Sequence, residues 1–331
     1  MNNSQQINCP ICKSPSYQFK ILKKEFILNE LEKHSGKTPP DNLGVIDYKM
    51  YRCNNCSLGF SNPMSPGSNE FYSWITQNEG YYPEARWEWN LVIEYIKTNK
   101  IKSVLEVGCG DGKFLNMIKD IEGLASVGLD TTKGSVDRCR EKGLEVYEET
   151  IESYLQKNNS KKFDLVISFH CLEHVDNPIT FIGSQISLLE KDGKILASTP
   201  YTAIPGEQWY ETLNYPPHHM TQWNNKSYTE LAKQLTLKLK LFMPKEQGLK
   251  GRIANSLYYA HGGFNKYRGY SNSKRKFLIL SSCLLNPIKT VREIFRHINR
   301  EKINVFDIQD NKEIKRFQPV SYVVLTELST K

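Results

Sequence analysis

The sequence lacks any long hydrophobic run, since no apolar stretch approaches the roughly 20 residues that a helix needs to cross a bilayer. The first six residues, Met-Asn-Asn-Ser-Gln-Gln, also lack the basic and apolar regions of a secretory signal peptide. These two absences argue against membrane-spanning and exported proteins. We therefore expect a cytoplasmic protein whose eight cysteines are thiols or metal ligands rather than disulfides.

The composition is that of an ordinary globular protein. Charged residues make up 24% of the chain and hydrophobic residues 39%. With 331 residues the chain can bury a sizeable core, and we expect one main domain with an accessory module.

A glycine-rich turn follows a β-branched apolar run at 104–112, which reads Val-Leu-Glu-Val-Gly-Cys-Gly-Asp-Gly. A helical stretch begins directly after it, so backbone N–H groups can approach a ligand with no Cβ in the way. About twenty residues further on, a second strand ends at Asp130, where a carboxylate can accept two ribose hydroxyls. Asp111 inside the turn would repel a phosphate but suits a sulfonium nucleoside that carries an amino acid.

This run resembles the S-adenosylmethionine (SAM) loop of class I methyltransferases, whose usual form is close to V-L-E-V-G-C-G-x-G. Three further segments resemble the family in the same order, at 163–168, 170–178 and 191–200. Strands are predicted at 103–107, 124–129, 144–147, 163–169 and 193–199, with helices at 112–119, 133–142 and 178–189 between them. The alternation predicts an α/β fold, a doubly wound and mainly parallel Rossmann-like sheet with ligands at the strand carboxyl ends.

The resemblance also implies which residues bind the cofactor. Phe169 and His170 should line its methionine side, and Tyr81 or Tyr82, ahead of the helix that covers the pocket, should reach the sulfonium. The usual Gly-Asp of the adenine site is missing, so Glu149 and Ile151 are doubtful there. The full set of predicted SAM-binding residues is Glu106, Gly108, Gly110, Asp111, Asp130, Phe169, His170 and Tyr82.

Two Cys-x-x-Cys pairs lie near the N-terminus. Cys9 and Cys12 form the first pair, and Cys53 and Cys56 form the second about forty residues later. Two such turns can complete a tetrahedral four-sulfur site for structural Zn²⁺. The separation exceeds the compact spacing of such sites, so an insertion at 21–44 must loop out, with a helix predicted at 23–33. Two unrelated pairs or a redox pair are the alternatives.

The role of this zinc-ribbon-like module is open between nucleic-acid binding and a part in the substrate site. The net charge of +8 favours nucleic acid. However, residues 245–302 carry thirteen Lys/Arg and three Asp/Glu, a net of +10, so the rest of the chain sums to −2. A four-cysteine module joined to a methyltransferase is similar to the sugar C-methyltransferases, where it helps to shape the substrate side, and we favour that role.

A proline-rich loop after the fifth core strand carries adjacent histidines, His218 and His219, behind Pro216-Pro217. A histidine stiffened in this way suits a general base for a hydroxyl or carbon acid. In the sugar C-methyltransferases a histidine in this region removes the proton. The sequence does not choose between the two, and His170 and Tyr210 are the next candidates. For Glu173 and His174, which follow the fourth core strand, we favour a structural role.

Three regions are predicted: a zinc-ribbon-like module with an insertion at 1–65, an aromatic-rich linker with a covering helix at 66–100, and a SAM-dependent methyltransferase domain at 101–331. A basic insertion occupies about 245–302. Its apolar stripe, from Ile288 to Ile298, is expected to pack on the core of the protein. Contact with an anionic partner is the alternative: the phosphates of a nucleotide sugar, a lipid-linked glycan at the inner membrane face, or RNA.

The sequence therefore predicts SAM-dependent methyl transfer to a small-molecule or glycan-type acceptor, with O-methylation slightly preferred over C-methylation. The setting would be polysaccharide or secondary-metabolite synthesis. An RNA or protein methyltransferase is one alternative. A non-catalytic SAM-binding or assembly module is another, although Glu106, Gly108, Gly110 and Asp130 argue against loss of cofactor binding.

Overall fold

A seven-stranded sheet forms the centre of the computed structural model, which describes residues 6–78, 81–202, 212–243, 249–261, 272–298, 302–307, 312–317 and 322–330. The strand order is β10-β13-β8-β7-β4-β5-β6, and only the β13 pairings with β8 and β10 are antiparallel. The strands of this sheet are β4 (Ser103–Val107), β5 (Ala125–Asp130), β6 (Val146–Glu148), β7 (Phe163–Phe169), β8 (Leu189–Tyr201), β10 (Leu237–Phe242) and β13 (Tyr322–Thr330).

Helices connect the strands of this sheet. Central strands are buried on both faces, as their near-continuous apolar sequences require, and β7 is buried at six of its seven residues. The connecting helices are α3 (Trp87–Thr98), α4 (Lys113–Ile118), α5 (Lys133–Glu141), α6 (Ile151–Lys157), α7 (Pro178–Ser187) and α8 (Asn225–Gln234). Parallel strands end at one edge of the sheet, so the turns that follow β4, β5 and β7 lie together.

A second, smaller sheet contains the two cysteine pairs. It has the order β1-β2-β3-β9 and is antiparallel. Its first three strands are β1 (Ser16–Leu22), β2 (Tyr48–Cys53) and β3 (Gly59–Asn62), while α1 (Lys24–Ser35) and α2 (Asn69–Ile75) flank them. Its fourth strand, β9 (Thr221–Gln222), comes directly after the two histidines. The N-terminal sheet therefore includes a strand that lies about 160 residues further along the chain.

The described part of the basic insertion is mostly helical. It contains α9 (Leu249–Ala260), α10 (Asn272–Leu285) and α11 (Pro287–Ile298), followed by the β11 (Lys302–Asp307) and β12 (Lys312–Phe317) hairpin. Among the described residues, no helix has both the length and the apolar content to span a bilayer.

The α/β fold class predicted from the sequence is confirmed. The predicted strands 103–107 and 163–169 coincide with β4 and β7, and most other predicted boundaries shift by one to four residues. The packing expected for the stripe of α11 is wrong for Ile288 and Phe295, whose side chains are 86% and 61% exposed. The predicted base candidate Tyr210 lies outside the described residues.

Candidate active site

The turn between β4 and α4 is built from glycines in the left-handed region. Gly108 has φ +72° and Gly110 has φ +54°. A Cβ on Gly108 would overlap the Cys171 sulfur, and one on Gly110 would lie 2.6 Å from Cε1 of Tyr82. The sequence therefore needs glycine here both for conformation and for space. This close-fitting cradle suits a cofactor that must approach the backbone.

Asp130 lies at the carboxyl end of β5, beside the turn. Its Oδ2 accepts the Gly110 N–H at 2.8 Å and its Oδ1 accepts the Thr132 N–H at 2.8 Å. Burial raises the pKa of this carboxyl, and the two hydrogen bonds oppose that effect. An ionised carboxylate offers about four acceptor positions, so about two remain for ribose hydroxyls. The residue is therefore held in place and still able to bind.

Two further predicted cofactor residues differ in their surroundings. Glu106 is buried, and its Oε2 has no hydrogen-bond partner among the described residues. Burial raises its pKa well above the ordinary value, and repulsion from Cys139 and Asp130 adds to this. Asp111 is partly exposed and lies 3.8 Å from the Lys113 Nζ. The buried Oε2 of Glu106, which has no hydrogen-bond partner among the described residues, can therefore accept a hydrogen bond from a ligand.

Tyr82 and Tyr81 are neighbouring tyrosines whose side chains contact different parts of the site. The Tyr82 ring covers Gly110, and its hydroxyl is 3.3 Å from Ser135 Oγ. Tyr81 packs edge-on against Tyr82 and directs its hydroxyl to His218 Nε2 at 3.0 Å. The two tyrosines therefore connect the glycine turn to the loop that carries His218 and His219, which is called the histidine loop below.

The two residues predicted on the methionine side have different roles in the structure. The Phe169 ring packs against Phe114, with ring centroids 4.9 Å apart, so its side chain belongs to the core beneath the turn. His170 has φ +55° and lies between two buried carboxylates, 3.3 Å from Glu88 and 3.3 Å from Glu173. Burial lowers the pKa of His170, but the contacts with Glu173 and Glu88 outweigh it and raise the pKa overall. A raised pKa favours the charged form of His170, so the two carboxylates make it a weaker candidate for the general base.

His218 is fixed in one tautomer by its neighbours. Its Nδ1 lies 2.8 Å from the Leu213 carbonyl oxygen, which can only accept, so this nitrogen carries the hydrogen. The Nε2 lone pair then accepts the Tyr81 hydroxyl. Burial, followed by repulsion from His174, lowers the pKa of His218 well below its usual value. His218 is therefore neutral and able to take a proton.

His219 and His174 complete a cluster with His218, and these three residues are called the histidine cluster below. His219 Nδ1 lies 3.1 Å from Asn214 Oδ1, and its Nε2 is 3.9 Å from Glu173 Oε1. His174 Nδ1 donates to the His218 carbonyl oxygen at 2.6 Å, which holds the loop in place. Burial lowers the pKa of both residues.

The histidine cluster also has the proximity of a metal site, because its ligand atoms lie within 4.8 Å of one another. However, His218 already uses both ring nitrogens, since its Nδ1 donates to the Leu213 carbonyl and its Nε2 accepts the Tyr81 hydroxyl. This arrangement suits proton transfer better than coordination.

The four cysteines of the N-terminal module converge. Three sulfur–sulfur distances are 3.7 Å for Cys9–Cys56, 3.4 Å for Cys12–Cys53 and 3.9 Å for Cys12–Cys56. A tetrahedral Zn²⁺ with Zn–S bonds of about 2.3 Å would place the sulfurs about 3.8 Å apart. The cluster therefore fits Zn²⁺ in both ligand type and spacing.

The cysteine module touches the histidine loop directly. Ser61 N–H donates to the Met220 carbonyl at 2.9 Å, and Gly67 N–H donates to the Pro217 carbonyl at 2.9 Å. Asn224, which also caps α8, donates to the Ser57 carbonyl at 2.8 Å. Backbone contacts from the module, at Ser61, and from the start of the linker, at Gly67, therefore flank both histidines on the chain.

Four further residues, near the start of α6 and the start of α3, bear on the site: Glu149, Ile151, Arg86 and Glu88. Glu149 pairs with Lys157 at 2.9 Å and Ile151 is buried at the start of α6, so an adenine role for either stays a prediction. Sequence reasoning missed Glu88 and Arg86. Arg86 Nη1 lies 3.7 Å from Glu88, and only its position at the N-terminus of α3 could have indicated it.

The segment that contains the glycine turn is similar in sequence to a known family of domains. Residues 86–239 match the sequence model of the family described as methyltransferase domain. This match covers less than half of the chain, and the strand order of the seven-stranded sheet is that of the Rossmann-like fold predicted from the sequence.

Individual relatives are similar over part of the chain. The mitochondrial ubiquinone biosynthesis O-methyltransferase of Dictyostelium discoideum is 31% identical over 111 residues, covering 29% of this chain and 35% of that protein. The enzyme of the same name from Actinobacillus pleuropneumoniae serotype 7 is 35% identical over 122 residues, covering 33% and 52%. A tRNA (carboxymethyluridine(34)-5-O)-methyltransferase of Xenopus tropicalis is 34% identical over 96 residues, covering 28% and 14%.

The chain thus spans about half or less of the length of these curated relatives. A solved SAM-dependent methyltransferase from Archaeoglobus fulgidus has a TM-score of 0.43 at 16% identity, covering 78% of this chain and 100% of that one. A TM-score of this size supports no functional assignment.

Proposed function

We propose that the protein transfers a methyl group from SAM to a hydroxyl of a small-molecule or glycan-type acceptor. The observation that carries this proposal is the continuous arrangement of the glycine turn, Tyr82, Tyr81 and His218. It joins a cofactor cradle to a neutral, buried histidine through one hydrogen bond. The ubiquinone O-methyltransferases among the relatives, which are named for a small-molecule O-methylation, support the choice of acceptor.

In this proposal the chain holds the cofactor and orients the acceptor. Asp130 and the turn would hold the nucleoside of SAM, which would supply an electrophilic methyl group to the acceptor oxygen and leave as S-adenosylhomocysteine. In-line placement contributes much of the rate.

Of the two histidines, His218 is the proposed base, acting through Tyr81. The Tyr81 hydroxyl takes the acceptor proton while it passes its own proton to His218 Nε2. Burial raises the pKa of Tyr81 well above its usual value, so a stable phenolate does not form and the two transfers must be coupled. His219, whose Nε2 is close to the Glu173 carboxylate, is the second candidate.

The proposal for His218 predicts a separation of binding from turnover. Tyr81→Phe and His218→Ala should each lower kcat by about 10²–10⁴-fold, the usual contribution of general base catalysis, and leave SAM affinity nearly unchanged. Tyr147→Phe, which alters an exposed tyrosine, is the matched control. If both variants turn over at the normal rate, the loop is structural and the base lies elsewhere.

We also propose that Cys9, Cys12, Cys53 and Cys56 hold one structural Zn²⁺, which stabilises the module that contacts the histidine loop. The metal takes no part in the chemistry. We propose in addition that the protein is cytoplasmic, where cysteines remain reduced and able to bind a metal.

RNA methylation is the second candidate for function, favoured by the similarity to a tRNA methyltransferase. Against it, the described contacts of the cysteine module go to the histidine loop, as expected for a part in the substrate site.

A further inference from the structure

The helices α10 and α11 carry large apolar side chains on their outer surface. Within each helix the exposed positions are spaced i, i+3 and i+7, which places them on one side. Leu284 is 82% exposed and Ile288 is 86% exposed, on either side of the junction between the helices. The set, called the apolar face below, comprises Phe277, Leu280, Leu284, Leu285, Ile288, Val291 and Phe295.

The orientation of the two helices is fixed from the inner side by polar contacts. His261, at the end of α9, is buried, with its Nδ1 3.0 Å from Ser282 Oγ of α10 and its Nε2 3.1 Å from Thr290 Oγ1 of α11. Ile279 is buried on the same side. The contacts of His261 and the burial of Ile279 therefore fix the inner side of the two helices, and the apolar face points outward.

Basic residues border the apolar face. The segment 272–298 contains six Lys/Arg and one Glu. Lys276, Lys289 and Arg292 are exposed. At about 100° per residue, Lys289 and Arg292 lie on one flank of the stripe formed by Ile288, Val291 and Phe295. Positive charge beside an apolar stripe is the pattern of helices that lie in the plane of an anionic membrane surface.

We propose that the apolar face docks on the surface of a lipid bilayer that contains anionic phospholipids. The side chains of the face enter the boundary between headgroups and acyl chains, and the basic residues pair with lipid phosphates and carboxylates. A second copy of the chain fits less well, because a symmetric contact would bring two basic borders together. RNA fits less well because five of the seven side chains are aliphatic and offer no stacking surface.

Vesicle flotation tests this proposal without any methyl transfer, so its outcome is independent of the proposed function. The full-length protein should float with phosphatidylserine-containing vesicles at low salt, more weakly at high salt, and weakly with phosphatidylcholine alone. Ile288→Ser and Phe295→Ser should each reduce the partition coefficient by about tenfold, because each removes an exposed apolar side chain that enters the bilayer on docking. Arg292→Glu should weaken only the salt-dependent part.

The matched control is Ile46→Ser, which replaces an isoleucine that is 40% exposed on the N-terminal module and should leave flotation unchanged. Circular dichroism should show that these surface variants are folded. Absence of flotation at low salt would overturn the proposal, as would equal flotation of wild type and both apolar variants. A dimer in light scattering that Ile288→Ser abolishes, or an RNA gel shift without flotation, would also overturn it.

Discussion

Replacement of Asp130 tests the cofactor site most sharply, because one side chain holds the turn and offers positions to the ribose. Asp130→Ala removes the acceptors of the Gly110 and Thr132 N–H groups together with the charge-assisted bonds to the ligand. Hydrogen bonds to charged groups contribute about 1.5–3 kcal/mol, so SAM affinity should fall about ten- to 150-fold. Asp130→Asn keeps the shape and should fall between wild type and Ala.

Isothermal titration calorimetry with SAM measures the effect. Asp137→Ala is the matched control, since Asp137 is a partly exposed residue of α5 that pairs only with Lys133 among its described contacts. Thermal unfolding without ligand separates loss of the ligand contact from collapse of the turn. Unchanged SAM affinity in a folded Asp130→Ala protein would refute the assignment of Asp130 to the ribose.

Three further predictions concern the metal, the turn and pH. Cys53→Ser should remove about one zinc per chain in elemental analysis and lower the melting temperature, whereas Cys283→Ser should do neither. Gly110→Ala should abolish SAM binding, because its Cβ meets Tyr82, whereas Gly123→Ala, with φ +73° and open space, should retain it. Burial lowers the pKa values of the histidine cluster, so the unfolded state binds more protons in acid. The contribution of these groups to the free energy of unfolding is therefore complete above pH about 6.5 and is lost as the pH falls below that value. His170, whose pKa is raised, partly offsets this loss. Urea titrations at several pH values measure the net effect.

Local patterns explain why the core could be predicted from the sequence. The run before Gly108 is apolar and β-branched and ends in glycines, so the position of β4 and of the turn is encoded within ten residues. The four-cysteine cluster could also be predicted, because each Cys-x-x-Cys pair needs only one tight turn to place its two sulfurs together.

Non-local contacts explain what could not be predicted. The pairing of β9 with β3 joins residues about 160 positions apart, and no local pattern indicates it. The pairing of Tyr81 with His218 depends on the same docking, so the sequence could name both histidines but not choose between them. The helical spacing of apolar residues predicted the apolar stripe of α11. The side of the helix that faces solvent, however, depends on the contacts of His261 with Ser282 and Thr290, which the spacing does not indicate.

Transfer of label from methyl-labelled SAM tests the central claim most directly. Purified protein would be incubated with separate pools of small hydroxylated metabolites, nucleotide sugars, lipid-linked glycans and RNA, with His218→Ala in parallel. We expect label in a small-molecule or glycan pool as an alkali-stable methyl ether, absent with His218→Ala. Label in RNA alone, or no label in any pool from protein that binds SAM, would contradict the account.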